Sequence, residues 1–460
     1  MIDRIWLQPP LAIARLGSSP MPCDNYRYGP SDLTPRGTGK TTVEPVESLD
    51  LAADGTLTTR MPQKVRFKDA DGWRPVCPFF EVHGSWTTAD GEQRTGVLTA
   101  DVLADFGLGL GDVRWQVSVA NLKAHHITQQ QDDHVEARAE VRGDDHQRHP
   151  LAGHSPQGTA NPLVPADKSL PLGSVQVPAP NAELPELRLR FTPGKGFVYG
   201  PTNLAELAAN TGYQLPQERL ILNLAAPWCR LRLRDISDDE RTSPPGLFAG
   251  AERQIQASLG MVDDVCDGTV AVTLPGGLTA TARIVVSPPD FAPDRRPFVS
   301  LADGLADRVK RAEVSDPSYI ADEGQTALEI RDLFERVLET MGNMNVDVQN
   351  QRVLDTYEGV AWTVPEPLTG VLLALTDRGR RRHRRFVALE ALEDMVREQP
   401  DLLDRVVRPP AEDLPPSYTD RRMPIGMRGA DAGPLHLTRR QYDLLTAWAQ
   451  GLRDRTEAGT

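Results

Sequence analysis

Residues 259–293 read LGMVDDVCDGTVAVTLPGGLTATARIVVSPPDFAP, and this stretch decides the fold class of the chain. Apolar and polar residues alternate in two runs, 269–274 and 279–286, on either side of a Pro-Gly-Gly turn. Alternating runs around a glycine-containing turn predict an antiparallel β-hairpin. An acidic turn at 263–268 leads into the first run, and a proline-rich segment at 288–293 follows the second.

Strand patterns continue on the N-terminal side of this hairpin. Residues 102–108 and 205–211 are short helix candidates, and residues 124–183, with a second half rich in proline and glycine, predict a long surface loop. Further short apolar or alternating runs, each typical of a strand, occur at 2–7, 11–16, 64–68, 79–84, 115–119, 187–191, 220–224 and 229–233.

Helical patterns dominate after the hairpin. Residues 327–342 place apolar side chains at helical spacing with Gly342 as a C-cap, and residues 438–452 predict a last helix with Thr438 as its N-cap. Residues 379–397 carry a basic run followed by FVALEALEDMV; the run is a solvated face, a pairing partner for the chain's own carboxylates, or a contact for an acidic ligand or partner. We therefore predict an α+β fold with a β-rich, antiparallel, sandwich-like domain at 1–310 and a helical domain at 311–460.

The totals exclude some classes of protein. A chain of 460 residues exceeds one ordinary hydrophobic core, so two or three domains are expected. The net charge of −13 argues against a nucleic-acid partner and is compatible with cationic ligands. No stretch approaches the ~18 consecutive apolar residues of a transmembrane helix, and the N-terminus has no signal-peptide pattern. These features predict a cytoplasmic protein without a membrane partner.

Residues 36–42, RGTGKTT, resemble part of a nucleotide-binding phosphate loop. The first glycine of that motif is replaced by Thr34, no apolar strand precedes it, and Pro45 interrupts any following helix. We interpret the stretch as a basic loop.

Histidines cluster at 124–155, which holds six of the nine in the chain. Imidazoles among carboxylates suit a zinc, copper or iron ion, so His125, His126 and His134 are candidate metal ligands. No His-x-His or His-Glu-x-x-His spacing fixes a geometry. The alternative is a solvated segment that is rich in histidine.

Four motifs resemble those of the lysine ε-oxidase family, the cysteine tryptophylquinone amino-acid oxidases. The first is AIARLGSSP at 12–20, and the second is VANLKA at 119–124. The third has two pieces: residues 259–270 are similar to a G-W-x-D-D-x-S-D-G-P-V pattern, and PPDFAP at 288–293 looks like its usual sequel. The fourth comprises Met423-Pro424 and LTRRQYDLLTAWAQG at 437–451, which resembles the last shared helix of the family. The motifs occur in the family's order and span nearly the whole chain.

The resemblance implies chemistry based on a quinone made by cross-linking a Cys to an oxidised Trp. In the family, the quinone carbonyl forms a Schiff base with a substrate amine, a base removes the α-proton, the imine hydrolyses and O2 reoxidises the cofactor. The family's cofactor Cys and Trp lie beyond the last shared helix, whereas this sequence ends shortly after Gly451. We therefore expect a divergent, shortened relative whose cysteine tryptophylquinone motif is absent.

The acidic turn supplies the candidate catalytic residues Asp263, Asp264, Cys266 and Asp267. Cys266 stands where the family pattern has Ser, so a thiol lies among carboxylates. The alternative for the aspartates is turn formation, since Asp favours turns and Asp-Gly is a common turn pair. The alternative for Cys266 is burial as a small apolar residue.

Trp228 and Cys229 are adjacent and are the candidate residues for a Cys–Trp cofactor. Adjacent residues of a strand point to opposite faces, so a cross-link between them needs a special turn.

Two functions are open. The first is a scaffold, binding or partner subunit without its own quinone; its partners would be a second polypeptide that supplies the missing segment, a small amine or amino acid, or another copy of the chain. The second is an active amine or amino-acid oxidoreductase that uses a Cys–Trp quinone or a metal held by the histidine-rich segment.

Overall fold

The computed structural model describes residues 1–31, 41–130, 133–204, 214–231, 260–290, 292–341, 398–399, 403, 407–413 and 436–458. The chain divides into two compact units, one of Met1–Arg27 with Glu44–Phe291 and the other of Tyr28–Val43 with Ala292–Thr460. The predicted domains, 1–310 and 311–460, stay a prediction, because compact packing is not in itself independent folding. The α+β class is confirmed, because strands predominate in the described residues of the first unit and helices in those of the second.

The strands of the described residues are numbered in chain order. They are β1 Ile2–Gln8, β2 Leu11–Arg15, β3 Tyr26–Ser31, β4 Thr41–Pro45, β5 Ser48–Leu51, β6 Leu57–Arg60, β7 Lys68–Asp69, β8 Gly72–Trp73, β9 Phe79–Thr87, β10 Gln93–Val97, β11 Arg114–Asn121, β12 Val135–Arg142, β13 His149–Gly153, β14 Leu170–Gln176, β15 Arg188–Pro193, β16 Val198–Pro201, β17 Leu220–Leu222, β18 Val262–Asp263, β19 Asp267–Leu274 and β20 Leu278–Ser287.

The helices are numbered in the same way. They are α1 Ala100–Asp105, α2 Lys123–Thr128, α3 Pro227–Arg230, α4 Leu301–Lys310, α5 Pro317–Ala321, α6 Glu323–Met341 and α7 Arg439–Ala458. Within the described ranges, no helix is both long enough and apolar enough to cross a membrane.

Two large sheets form the first unit. One has the order β1-β9-β15-β14-β13 with β10 also beside β9, and the other has the order β12-β11-β19-β20-β2. Their pairs are antiparallel except that of β2 with β20, which is parallel. Buried side chains of both sheets, such as Phe80 and Phe191 of the first and Trp115 and Val272 of the second, belong to one hydrophobic core. This packing is the expected sandwich-like arrangement.

The predicted hairpin is confirmed and lies in the middle of the five-stranded sheet. Strand β19 pairs with β20 from Asp267 opposite Val285 to Leu274 opposite Leu278, and a short 3-10 turn, Pro275–Gly277, joins them. Gly276 and Gly277 have φ values of +83° and +82°, a region that favours glycine. Alternate side chains of both strands are buried, which is why the period of two was readable.

Three predictions in the first unit are wrong. Residues 64–67 form no strand, and only Lys68–Asp69 pairs, as β7. Residues 229–230 belong to helix α3, because Pro227 occupies its first turn and its fixed φ suits a helix start. The predicted loop at 124–183 contains α2, β12, β13 and β14. Its apolar positions, including Leu170 and Leu172, are buried in the sandwich core, which the proline and glycine content concealed.

The helices of the second unit confirm two predictions. Helix α6 begins four residues before the predicted start, and its Ile330, Leu333 and Phe334 are buried. Helix α7 begins directly after Thr438, whose Oγ1 accepts a hydrogen bond from the Gln441 N–H at 3.2 Å. The Gln441 side chain accepts in return from the Thr438 N–H at 3.0 Å, which completes a capping box.

Several predicted features lie outside the described residues. They are most of the basic loop at 36–42, the short helix at 205–211, the Gly342 cap, the basic run in 379–397 and the motif at 423–424.

Candidate functional site

Two polar contacts join the end of strand β11 and the start of helix α2 to the acidic turn, and a third orders the side chain that makes one of them. Lys123, the first residue of α2, places its Nζ 2.6 Å from the Asp263 carboxylate. The Asn121 side-chain amide donates to the Asp263 backbone carbonyl at 2.7 Å, and its oxygen accepts from the Lys123 N–H at 3.0 Å. The VANLKA motif therefore holds the first aspartate of the turn in place.

Asp264 is buried and holds a neighbouring loop. Its carboxylate accepts from the Gly196 N–H at 3.0 and 3.1 Å and from the Phe197 N–H at 3.3 Å. The carboxylate also fills the space beside Gly194, where a Cβ atom would lie 2.6 Å from Oδ2. Asp264 thus links the acidic turn to the Gly-Lys-Gly-Phe loop at 194–197.

The environment of Asp264 alters its acidity. Burial raises the pKa of this carboxyl to about 6, and the nearby Asp263 charge adds to the rise, while backbone N–H donors such as that of Phe197 oppose it. The adjacent Tyr199 is affected as well, because burial and the Asp264 charge raise its pKa to about 12. Asp264 therefore titrates near neutral pH, and Tyr199 stays protonated there.

The side chains of Cys266 and Asp267 lie in environments that differ from those of Asp263 and Asp264. The Cys266 thiol is buried in the core and donates to the Leu172 carbonyl at 3.6 Å, and burial raises its pKa well above the ordinary value. Asp267 is exposed at the start of β19. The four candidate catalytic side chains thus have four different environments and do not converge on one point; their catalytic role stays a prediction.

Trp228 and Cys229 lie in the single turn of helix α3. The Trp228 indole has no exposed surface, and its Nε1–H donates to the Met261 carbonyl at 3.2 Å. The Cys229 Sγ lies 3.9 Å from the carbonyl oxygen of Gly260, which has a φ of +66°. A Cβ atom on Gly260 would come within 2.8 Å of that sulfur, so glycine is required for the close approach. Burial raises the pKa of Cys229 to about 12, and the Asp133 charge contributes.

A buried carboxyl lies at the other end of helix α2. Asp133 is 3% exposed, and its Oδ2 accepts from Thr128 Oγ1 at 2.9 Å. None of the described residues donates a hydrogen bond to its Oδ1. Burial raises the pKa of Asp133, whereas Thr128, the backbone N–H of Trp228 and the nearby His125 and His134 act in the opposite direction.

The three candidate metal ligands do not assemble. The rings of His125 and His134 are 6.5 Å apart between centroids, His126 is exposed, and His125 Nδ1 lies 2.8 Å from the Gln130 carbonyl oxygen. Among the described residues, no group of three or more His, Cys, Asp or Glu side chains is placed to hold a metal ion. The residues present therefore do not fit a metal centre, and no metal chemistry is assigned to them.

The residues at 228 and 229 do not fit a working quinone either. Their side chains contact two different backbone carbonyls, those of Met261 and Gly260, and the indole has no exposed surface. A quinone must present its carbonyl carbon to the substrate amine, which a fully buried ring cannot do. All four cysteines lie in the described residues and are free thiols.

Residues that were predicted for separate reasons nevertheless come together around helix α2. Its first residue contacts Asp263, while its last residue, Thr128, contacts Asp133, which lies near the backbone of Trp228. The sequence predicts neither the burial of Asp133 nor the contact of the loop at 194–197 with Asp264. Asn121 and Lys123 stand out in the sequence only as part of a motif, and the spacing of Gly194 and Gly196 is the available signal for the loop.

Comparison with known proteins gives a distant similarity of fold. No protein-family model matches the chain, and no curated protein matches it. Three similar solved structures are of L-Lys ε-oxidase from Marinomonas mediterranea: the Schiff base intermediate with L-Lys (16% identity, TM-score 0.47), the L-Lys ε-oxidase (16%, 0.45) and the ε-lysine oxidase (15%, 0.46). Each match covers 97% of this chain and 61% of the other, so the chain spans less than two thirds of the length of these oxidases.

Proposed function

We propose that this protein is a binding or scaffold subunit that forms no tryptophylquinone from Trp228 and Cys229. The observation that carries the proposal is the hydrogen bond from the Trp228 indole N–H to the Met261 carbonyl, made by a ring without exposed surface. This contact gives the indole a structural role, because it joins helix α3 to the residue that precedes strand β18 and the acidic turn. A ring in that position is closed to an incoming amine.

The acidity of the buried thiols supports the same proposal. Thiolates rather than thiols are the nucleophilic form of cysteine. Burial raises the pKa of both Cys229 and Cys266, so each stays a protonated, apolar side chain at neutral pH. Both sulfurs lie against backbone carbonyls, which is the behaviour of cysteines that fill a core.

The motifs at 12–20, 119–124, 259–270 and 437–451 support kinship with the lysine ε-oxidase family as part of this proposal. Two of them have structural tasks: Asn121 and Lys123 hold Asp263, and Asp264 holds the loop at 194–197. We propose that the chain keeps the scaffold of such an oxidase and serves a partner, either a second polypeptide or a small amine.

One observation favours the alternative, an active amine or amino-acid oxidase. Asp264, with a pKa of about 6, titrates in the range that suits a general base at neutral pH. Asp264 is 1% exposed, and its carboxylate already accepts hydrogen bonds from the N–H groups of Gly196 and Phe197. A base must reach the substrate proton, so we rank this alternative second.

Oxygen uptake and hydrogen peroxide release, measured with L-lysine and a panel of primary amines, test the proposal. We expect no uptake above the buffer rate and no visible absorption band on the purified chain. Amine-dependent uptake that is lost in Trp228→Phe but kept in Trp115→Phe, a matched change of another buried tryptophan, would establish the alternative. Amine-dependent oxygen uptake that is kept in Trp228→Phe would also overturn the proposal, because it would mean that residues other than Trp228 carry out the oxidation.

A further inference from the structure

Strand β15 carries two buried arginines on the face that is turned away from the sandwich core. Phe191 is buried in that core, so the alternation of a strand directs Arg188 and Arg190 to the opposite face of the sheet. The Arg188 guanidinium forms ion pairs with Glu81 at 2.6 Å and with Glu186 at 3.1 Å. Arg188 is thus a buried cation with two carboxylate partners, which is the usual state of a buried charge.

Arg190 has no such partner. Its residue is 6% exposed, and its Nε is buried without a hydrogen-bond acceptor. No carboxylate of the described residues pairs with it, and its two terminal nitrogens, also without an acceptor, keep contact with solvent. The guanidinium lies 5.7 Å from the ring centroid of Phe79. Arginine stays charged when it is buried, and a ring contact offsets only part of the desolvation cost, so this position favours an anion.

A second arginine lies beside it. Gln176, which is opposite Arg190 in the pairing of β14 and β15, donates from its Nε2 to the His146 carbonyl at 3.0 Å. This contact holds the segment that carries Arg148 on the same side of the sheet. Arg148 is exposed, and no carboxylate of the described part of the chain pairs with it. The charges of Arg190 and Arg148 both act on the Cys77 thiol, so the two guanidinium groups flank one place.

The other groups at this place are neutral or already paired. Burial raises the pKa of the Cys77 thiol, although the two guanidinium groups and the Thr192 hydroxyl oppose the rise, so the thiol is protonated at neutral pH. Thr192 is half-buried on the same face as the arginines. The carboxylate closest in sequence to Arg148 is that of Asp145, which contacts His149 at 2.9 Å. Two cations, a hydroxyl and a neutral thiol therefore lie together.

We propose that Arg190 and Arg148 form a binding site for a phosphate group, either inorganic phosphate or a phosphomonoester. Guanidinium groups bind phosphate oxygens through charge-assisted, bidentate hydrogen bonds. A phosphate carries close to two negative charges at neutral pH, which matches two cations, whereas a carboxylate would leave one guanidinium without a counter-charge. The Thr192 hydroxyl is a further donor at the edge of the site.

Isothermal titration calorimetry of the full chain in a phosphate-free buffer tests the proposal. Inorganic phosphate should bind saturably at one site and at least about 10-fold more tightly than acetate at equal ionic strength. O-phosphoserine distinguishes the two sources of the phosphate group. Tighter binding of O-phosphoserine than of inorganic phosphate would identify a phosphomonoester as the ligand class, and the reverse order would identify free phosphate.

Variants locate the binding. Arg190→Met should abolish saturable phosphate binding, and Arg148→Met should weaken it about 10-fold or more. Arg94→Met, a matched change of an exposed arginine that pairs with Glu92, should leave it unchanged. Because Arg148 is exposed, its replacement tests the proposal even where Arg190→Met does not fold.

Thermal melting gives a second readout. Phosphate should raise the Tm of the wild type and of Arg94→Met but not that of Arg190→Met, because a ligand stabilises only the form that binds it. The absence of saturable phosphate binding, equal affinities for acetate and phosphate, or full binding by both Arg190→Met and Arg148→Met would each overturn the proposal.

Discussion

The Trp228 indole N–H donates a hydrogen bond to the carbonyl oxygen of Met261 over 3.2 Å, although the two residues are 33 positions apart in sequence. The bond anchors a one-turn helix on the segment that precedes the acidic turn, and the ring that makes it is fully buried. Trp228, a candidate residue of the Cys–Trp cofactor, thus links two segments of the first unit through a hydrogen bond.

Replacing Trp228 by Phe should destabilise the protein. The Met261 carbonyl loses this partly buried donor, and the smaller phenyl ring fills less of the core around residue 228, so the cost should be about 1–3 kcal/mol. Urea unfolding followed by circular dichroism measures the change in the free energy of unfolding. A loss below about 0.5 kcal/mol would mean that the bond is not made in solution.

Asp264 should make stability depend on pH in a defined direction. Its folded-state pKa, about 6, lies above the ordinary value of 3.8, so the folded protein binds the proton more tightly than the unfolded chain. The contribution of this group to the free energy of unfolding is therefore complete below about pH 4 and is lost as the pH rises through about 6. The total change in the free energy of unfolding is roughly 3 kcal/mol.

The variant Asp264→Asn removes that titration. Its free energy of unfolding relative to wild type should rise between pH 4 and pH 7, because only the wild type acquires a buried charge over this range. Urea unfolding of both proteins at several pH values gives the difference. A difference that is constant with pH, or that runs the other way, contradicts this account of Asp264.

Gly194→Ala should lower the free energy of unfolding more when residue 264 is Asp than when it is Ala. The new Cβ would lie 2.6 Å from Oδ2 of the carboxylate, a clash that should cost about 1–3 kcal/mol. In an Asp264→Ala background the contacts with Oδ2 and Cγ are gone and only the one with the Cβ atom of residue 264, at 3.0 Å, remains, so the same substitution should cost less. A double-mutant cycle in urea measures the coupling between the two positions, and a coupling near zero would show that the carboxylate does not fill that space.

Thr438→Ala should destabilise the second unit by about 1 kcal/mol, because it removes the acceptor of the Gln441 N–H at the start of helix α7. Thr446→Ala is a matched change on the same helix. The Thr446 hydroxyl is exposed and donates to the Tyr442 carbonyl of its own helix, so its replacement should be neutral or slightly stabilising. Thermal melting of the two variants checks the contrast, and equal effects would argue against the cap.

The parts of the fold that could be predicted are those encoded by local patterns. The hairpin of β19 and β20 combines a period of two with a Pro-Gly-Gly turn, and helix α6 has a period near 3.6, so each needs only its own residues. The segment at 227–230 shows the limit of this reading. The alternation after Trp228 favours a strand, but the proline before it starts a helical turn.

The candidate site was harder to predict because its contacts join distant parts of the chain. Lys123 and Asp263 are 140 residues apart, and Asp264 is 68 residues from Gly196. Composition could indicate the acidic turn and the histidines as candidate site residues, but it could not show that Asp264 is buried or that His126 is exposed. Those properties depend on the tertiary packing around helix α2.

The intact mass of the purified chain shows whether Trp228 and Cys229 form a quinone. We expect the mass of the unmodified sequence, because the two side chains contact separate backbone carbonyls and remain unlinked. A mass that shows gained oxygen and lost hydrogen, together with a cross-linked peptide containing residues 228 and 229, would contradict it.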